Sequence, residues 1–177
     1  PDTPVELAMR YGNPSIESGL EKLVEAGVER VIVVPLYPQA ASATTGSVVQ
    51  KVMDVPREWW SIPAVCVVPP FYDHDAFIGP QADIGRAHLD ELQPDHVLFS
   101  FHGIPEDHVQ RSDRSKQHCL KSADCCAQLT ETNRFCYRAQ CHATARALAK
   151  KLDLPEDKYT VTFQSRLGRA EWIKPYT

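Results

Sequence analysis

Apolar runs separated by turn-forming residues set the pattern of the chain. The sharpest is Val97-Leu98-Phe99-Ser100-Phe101, which ends in His102, Gly103, Ile104 and Pro105. Apolar residues at successive rather than alternate positions predict a parallel strand buried on both faces. Gly103 and Pro105 end it, because neither continues a central strand. Further strands are predicted over residues 5–12, 30–36, 64–68 and 159–163. Between them, Ile16, Leu20, Leu23 and Val24 recur at helical spacing, with Asn13 as cap, Pro14 at the first helical position and Gly27 as stop. Val48, Val49, Val52 and Met53 predict a second helix. Residues 75–92 predict a third, interrupted at Gly79-Pro80 and Gly85, and residues 139–152 a fourth. Strand and helix alternate steadily, so the expected class is α/β, a mostly parallel sheet with helices on both faces.

One stretch breaks this rhythm. Residues 106–138 are polar, charged and cysteine-rich, and too long for an ordinary strand-to-helix loop, which marks them as functional or inserted. Both termini look cut, so the chain is expected to be an internal piece of a longer protein. A net charge of −4 gives no reason to expect nucleic acid. No apolar run approaches the roughly 20 residues needed to cross a bilayer.

Six cysteines without a secretory signal point to a reducing compartment rather than a disulfide framework. Cys66 stands in an apolar strand and reads as a small core residue. The other five read Cys119-x5-Cys125-Cys126-x9-Cys136-x4-Cys141. The paired C-x-x-C spacing of a structural zinc site is absent, and neighbouring cysteines suit an iron–sulfur centre as well as they suit zinc. Ligation would also explain how so polar a loop stays ordered.

Polar groups collect at the carboxyl ends of the predicted strands, where open α/β sheets bind ligands. They are Arg10 and Tyr11, Tyr37, the Thr44-Thr45-Gly46-Ser47 turn, Tyr72 and Asp73, His102, and Gln164, Ser165 and Arg166. His102 stands out, since an imidazole carries or accepts a proton near neutral pH and ligates a metal when neutral. No nucleophile elbow or glycine-rich phosphate loop is present, which disfavours nucleophilic hydrolysis and nucleotide chemistry.

These motifs, in this order, resemble the ferrochelatase family: Met9-Arg10-Tyr11-Gly12, Pro35-Leu36-Tyr37-Pro38-Gln39, Thr44-Thr45-Gly46-Ser47, residues 98–105 with the His-Gly-Ile-Pro strand end, and Thr162-Phe163-Gln164-Ser165-Arg166 with Trp172 and Pro175-Tyr176-Thr177. The resemblance implies a Rossmann-like three-layer fold in two similar halves, 1–92 belonging to the first and 93–177 to the second. It implies insertion of ferrous iron into protoporphyrin IX in haem biosynthesis. His102 matches the residue proposed to take pyrrole protons or hand over the iron. Arg10, Tyr11, Tyr37, Thr44, Thr45, Ser47, Gln164, Ser165 and Arg166 match the porphyrin pocket, with Arg10 and Arg166 as candidate anchors for propionates. The cysteine segment resembles an insertion carrying a [2Fe-2S] cluster, four of the five cysteines being ligands.

The family usually has an aromatic residue where Ala40 and Ala41 follow Pro38-Gln39. Its acidic catalytic partner is expected beyond Thr177, so the chain alone is expected to be inactive. A cytoplasmic enzyme is further expected, with peripheral membrane contact and oligomeric state left open. Two alternatives stand beside it. One is a chelatase placing cobalt or nickel in another tetrapyrrole. The other is a non-catalytic iron–sulfur module sensing redox state.

Overall fold

The computed structural model describes residues 3–177, which divide into two compact units. One comprises the chain up to Tyr37 together with Ala41–Pro70. The other comprises Pro38–Ala40 and Phe71–Thr177. The class is α/β, with every strand pair parallel.

In the first unit, α1 (Ile16–Glu25) precedes β1 (Arg30–Val33). A π-helical turn (Ser42–Gly46) then leads into α2 (Ser47–Asp54), and a short 3-10 turn (Val55–Glu58) precedes β2 (Ala64–Val67). β1 and β2 pair from Arg30↔Ala64 to Val33↔Val67. Ile16 and Leu20 of α1, Val31 of β1 and Val52 of α2 form a buried cluster, with Leu23, Val33, Val48 and Val65 packed against it. Gly27 takes φ +74° and its N–H bonds to Val24 O, so the expected helix stop holds in the left-handed region where glycine is favoured.

Three expectations fail in this unit. Residues 5–12 form no strand. Only Met9 bridges, to Ser15, because no partner strand lies alongside among the described residues. The helix cap is Ser15 rather than Asn13. The Ser15 hydroxyl accepts from Ser18 N at 3.1 Å, while the Pro14 carbonyl is taken by Met9 N–H at 2.7 Å, which keeps residues 13 and 14 outside the helix. Cys66 is exposed, not a core residue. It pairs with Ile32, itself 62% exposed, on the strand face turned away from the cluster.

In the second unit, α3 (Asp75–Leu92), β3 (Val97–His102), α4 (Glu106–Ser112), α5 (Tyr137–Lys151) and β4 (Tyr159–Gln164) follow in order. α3 runs unbroken through Pro80. The residue before a helical proline suffers through its own Cβ, and Gly79 has none. Gly85 marks close packing, since a Cβ there would lie 3.4 Å from Leu152 Cδ1. β3 and β4 pair from Val97↔Tyr159 to His102↔Gln164. β3 is not buried on both faces as its composition suggests. Val97, Phe99 and Phe101 turn inward, while Leu98, Ser100 and His102 are exposed.

The core here is Ile78 and Ala82 of α3, Ala139, Ala145 and Ala149 of α5, Val161 and Phe163 of β4, and Ile173. Burying a side chain the size of Phe163 contributes on the order of 1.5–3 kcal/mol. The last residues are also structured. Phe163 N donates to Pro175 O and Thr177 N to Phe163 O, so residues 175–177 run along the second edge of β4. No helix among the described residues is long and apolar enough to cross a membrane.

Candidate active site and cysteine segment

His102 is the last residue of β3, and its side chain is exposed. Its Nδ1 lies 2.6 Å from Gly103 O. A carbonyl oxygen only accepts, so Nδ1 carries the proton of the neutral ring and Nε2 presents a free lone pair. Tyr137 Oη donates to the His102 carbonyl at 2.9 Å, and the Trp172 ring centroid lies 6.3 Å from the imidazole. Backbone and ring are thus held from different sides.

Gly103 makes this geometry possible by its size. Its N–H bonds to Gln164 O at 2.6 Å, and an added Cβ would meet Ser165 O at 3.0 Å and Gln164 O at 3.1 Å. Gly103→Ala is therefore expected to force the ends of β3 and β4 apart, destabilising the protein by about 1–3 kcal/mol. Thermal unfolding checks this, and a melting temperature equal to wild type would show that the β3–β4 approach yields freely.

Beside His102 stand Gln164, its register partner, and Ser165, whose φ of +66° turns the chain out of β4. Arg166 follows in the chain. Its guanidinium carbon stacks 5.3 Å from the Tyr176 ring centroid.

In the first unit, Arg10 Nε donates to both Ser47 O (3.0 Å) and Ser47 Oγ (2.8 Å), at the start of α2. The guanidinium lies 4.6 Å over the Tyr11 ring, and Tyr11 Oη is 3.5 Å from Ser47 Oγ. Arg10, Tyr11 and Ser47 are thus one cluster, and no hydrogen bond to Nη1 or Nη2 of Arg10 forms among the described residues. Thr44 Oγ1 turns back onto Ala41 O, and Thr45 Oγ1 is buried without a partner among the described residues. Tyr37 is 40% exposed and forms no side-chain hydrogen bond among the described residues.

The cysteine segment is ordered by buried polar side chains. The Asp113 carboxylate accepts from Ser115 N and Oγ on one oxygen, and from His118 N and Cys119 N (both 2.8 Å) on the other. Asn133 donates to Cys125 O and Gln128 O and accepts from Thr130 N. Gln140 Nε2 donates to Arg134 O. The segment therefore carries an internal hydrogen-bond framework in addition to any metal.

Burial alone would push the Asp113 carboxyl up, but the donors from Ser115, Cys119 and His118 outweigh it and hold the group well below the usual carboxylate range. A lowered folded pKa stabilises the native state above the unfolded value, near pH 4, and that stability is lost as pH falls below it. Asp113→Ala leaves buried backbone donors unpaired and is expected to cost ~3 kcal/mol. Unfolding measured at pH 7 and pH 3 checks this, with the gap between variant and wild type narrowing at the lower pH.

All five cysteines of the segment are buried. Cys125 Sγ and Cys126 Sγ lie 3.7 Å apart, and the Cys136 side chain interacts with both Cys119 and Cys126. Interaction with Cys136 and then burial push the Cys126 thiol up, and burial is the first cause of the upward shifts at Cys119 and Cys125. Burial raises the Cys141 thiol, and its side chain hydrogen-bonds Tyr137, the residue that holds His102 O. Cys141 also lies near Cys126, whose charge acts on its thiol.

Thiols crowded out of water ionise readily only against cations, and thiolate is the form that binds metal. No group of three or more His, Cys, Asp or Glu side chains among the described residues is arranged to hold a metal ion. A two-iron centre instead takes four thiolates shared between two irons. Cys119, Cys125, Cys126 and Cys136 lie near one another, and Arg138 Nη1 is 3.7 Å from Cys125 Sγ.

The model of the ferrochelatase family matches residues 1–177. The chain belongs to the ferrochelatase family. Curated ferrochelatases resemble it closely. That of Pseudomonas fluorescens strain Pf0-1 is 47% identical over 175 residues, covering 98% of this chain and 51% of the relative. That of Pseudomonas syringae pv. tomato is 48% identical, with 98% and 51% covered, and that of Azotobacter vinelandii 47%, with 98% and 52% covered. The chain thus spans about half the length of the curated relatives it matches.

Sequence reasoning had singled out His102, Arg10 and the Thr-Thr-Gly-Ser turn of this ferrochelatase-family chain. It gave no role to Tyr137, Asp113 or Asn133. For Asp113 a signal existed, because Asp-x-Ser followed by polar residues is an Asx-turn pattern.

Proposed function

We propose that the protein to which this chain belongs is a ferrochelatase, inserting Fe2+ into protoporphyrin IX to form protohaem. The observation that carries this reading, given family membership, is the His102 imidazole, exposed at a strand tip with Nδ1 tied to Gly103 O. Metallation removes two protons from pyrrole nitrogens, so a base working near neutral pH is required. His102 Nε2 takes one of the two pyrrole protons and the carboxylate of the acidic partner across the macrocycle takes the other, while the resulting imidazolium keeps its Nδ1–H on the Gly103 carbonyl. A neutral Nε2 is equally able to guide the incoming iron, which is substrate here.

Arg10, with Nε spent on Ser47, offers its terminal nitrogens to a propionate, and Arg166 is the second anchor in this reading. Tyr11, Tyr37, Thr44, Thr45, Ser47, Gln164 and Ser165 form walls and polar contacts for the macrocycle. In the whole enzyme, residues 1–92 and 93–177 belong to two similar halves, and an acidic partner faces His102 across the porphyrin. The chain alone is then inactive. The enzyme acts in the cytoplasm, with peripheral access to the membrane that dissolves its substrate.

Cys119, Cys125, Cys126 and Cys136 hold a [2Fe-2S] cluster in this reading. Such a cluster supplies an electron-accepting, structure-binding centre. Cys141, paired with Tyr137, is the cysteine left over.

The test is anaerobic incubation of full-length protein with protoporphyrin IX and Fe2+, Co2+ or Ni2+ in turn, followed by porphyrin absorbance. Fe2+ is expected to give the fastest product formation. Fastest turnover with cobalt or nickel would move the protein to a related chelatase. Porphyrin binding without any metallation would leave an iron–sulfur module, a reading favoured only by the self-contained framework around Asp113 and Asn133.

A further inference from the structure

On the surface of the cysteine segment lies an open depression of about 370 Å³, lined by Glu106, Leu120, Lys121, Ser122, Ala123, Arg138 and Lys174. It has no part in the metal-insertion chemistry above. Its volume falls in the range of small-molecule sites, roughly 300–1,000 Å³. Its walls carry three cations against the single carboxylate of Glu106.

Arg138 is the fixed element. It sits in the first turn of α5, its Nη1 reaches Cys125 Sγ at 3.7 Å, and its Nε is buried without a partner among the described residues. A guanidinium so placed is preorganised, with one N–H still unpartnered, which favours a charge-assisted bond to an oxyanion. Lys121 forms no ion pair among the described residues, and Lys174 pairs only with exposed Glu171 at 3.3 Å. Lys121 is free to swing onto a ligand, and Lys174 reaches one by leaving Glu171 and the Tyr176 ring, 5.9 Å away.

We propose that this depression binds a small molecule through an oxyanion group, phosphate being its simplest representative, held by Lys121, Arg138 and Lys174. Ser122 adds a hydroxyl, and Leu120 and Ala123 give the ligand body an apolar wall. Glu106 selects within this class. A carboxylate among the cations repels a fully ionised anion and accepts a hydrogen bond from one that still carries a proton, so hydrogen phosphate is preferred to sulfate.

The experiment is calorimetric titration of full-length protein with inorganic phosphate, and separately with sulfate, at constant ionic strength. Wild type is expected to bind phosphate saturably and more tightly than sulfate. Lys121→Gln with Lys174→Gln is expected to weaken phosphate binding about a hundredfold or more, the loss of two charge-assisted hydrogen bonds. Circular dichroism of the double variant, whose substitutions are both at exposed side chains, checks that the fold is unchanged. Glu106→Gln is expected to bring sulfate up to phosphate. No saturable phosphate binding by wild type, or unchanged binding in the folded double variant, overturns the site. Equal phosphate and sulfate affinity in wild type overturns the selection by Glu106.

Discussion

Full-length protein carrying Cys126→Ser will be isolated without the visible absorption of an iron–sulfur centre that the wild type, purified anaerobically, displays. Cys126 is the strongest choice because it meets two other thiols, Cys125 at 3.7 Å and Cys136. A serine there retains the volume but gives up the soft thiolate that iron and sulfide prefer. The expected loss is of the whole cluster, since three remaining thiolates leave one iron short of a ligand. Cys141→Ser, by contrast, is expected to keep the spectrum, because that thiol is turned to Tyr137. Iron and sulfide analysis checks both variants. Zinc in the wild type, with neither iron nor sulfide, would refute the assignment. The segment will not simply unravel in Cys126→Ser, because the bonds to Asp113, Asn133 and Gln140 do not pass through sulfur.

His102→Ala in full-length protein will lower the metallation rate by about 10²–10⁴-fold, the usual range for removing a positioned acid–base group. Porphyrin affinity is expected to stay near that of the wild type. The side chain is exposed, and the strand end is held by backbone bonds that alanine keeps, Gly103 N to Gln164 O and Tyr137 Oη to the residue 102 carbonyl. Fluorescence quenching of bound porphyrin separates the two effects. A parallel fall in affinity would instead assign His102 to binding.

The four paired strands were legible in the sequence as dense β-branched and aromatic runs, and the place of His102 followed from where one of them stops. What the runs do not reveal is who covers them. Leu98 and Ile32 look like core residues in composition and are 55% and 62% exposed. Burial is a property of neighbours, not of the residue. The segment at residues 5–12 misled for the same reason, being extended but without a partner strand. Gly103 was legible as a punctuation mark, yet it works by letting two strand tips approach. The cysteines were legible as a group by number and spacing. The buried carboxylate and amides that order their loop depend on backbone donors that no side-chain pattern displays.

The most direct test of the central assignment bypasses porphyrin binding altogether. Wild-type and His102→Ala proteins are loaded with protoporphyrin, mixed rapidly with ferrous iron under anaerobic conditions, and followed by porphyrin absorbance through one turnover. The account predicts prompt conversion of bound porphyrin by wild type and persistence of the metal-free spectrum in the variant. Equal single-turnover rates would show that Nε2 of His102 neither takes the pyrrole proton nor guides the iron.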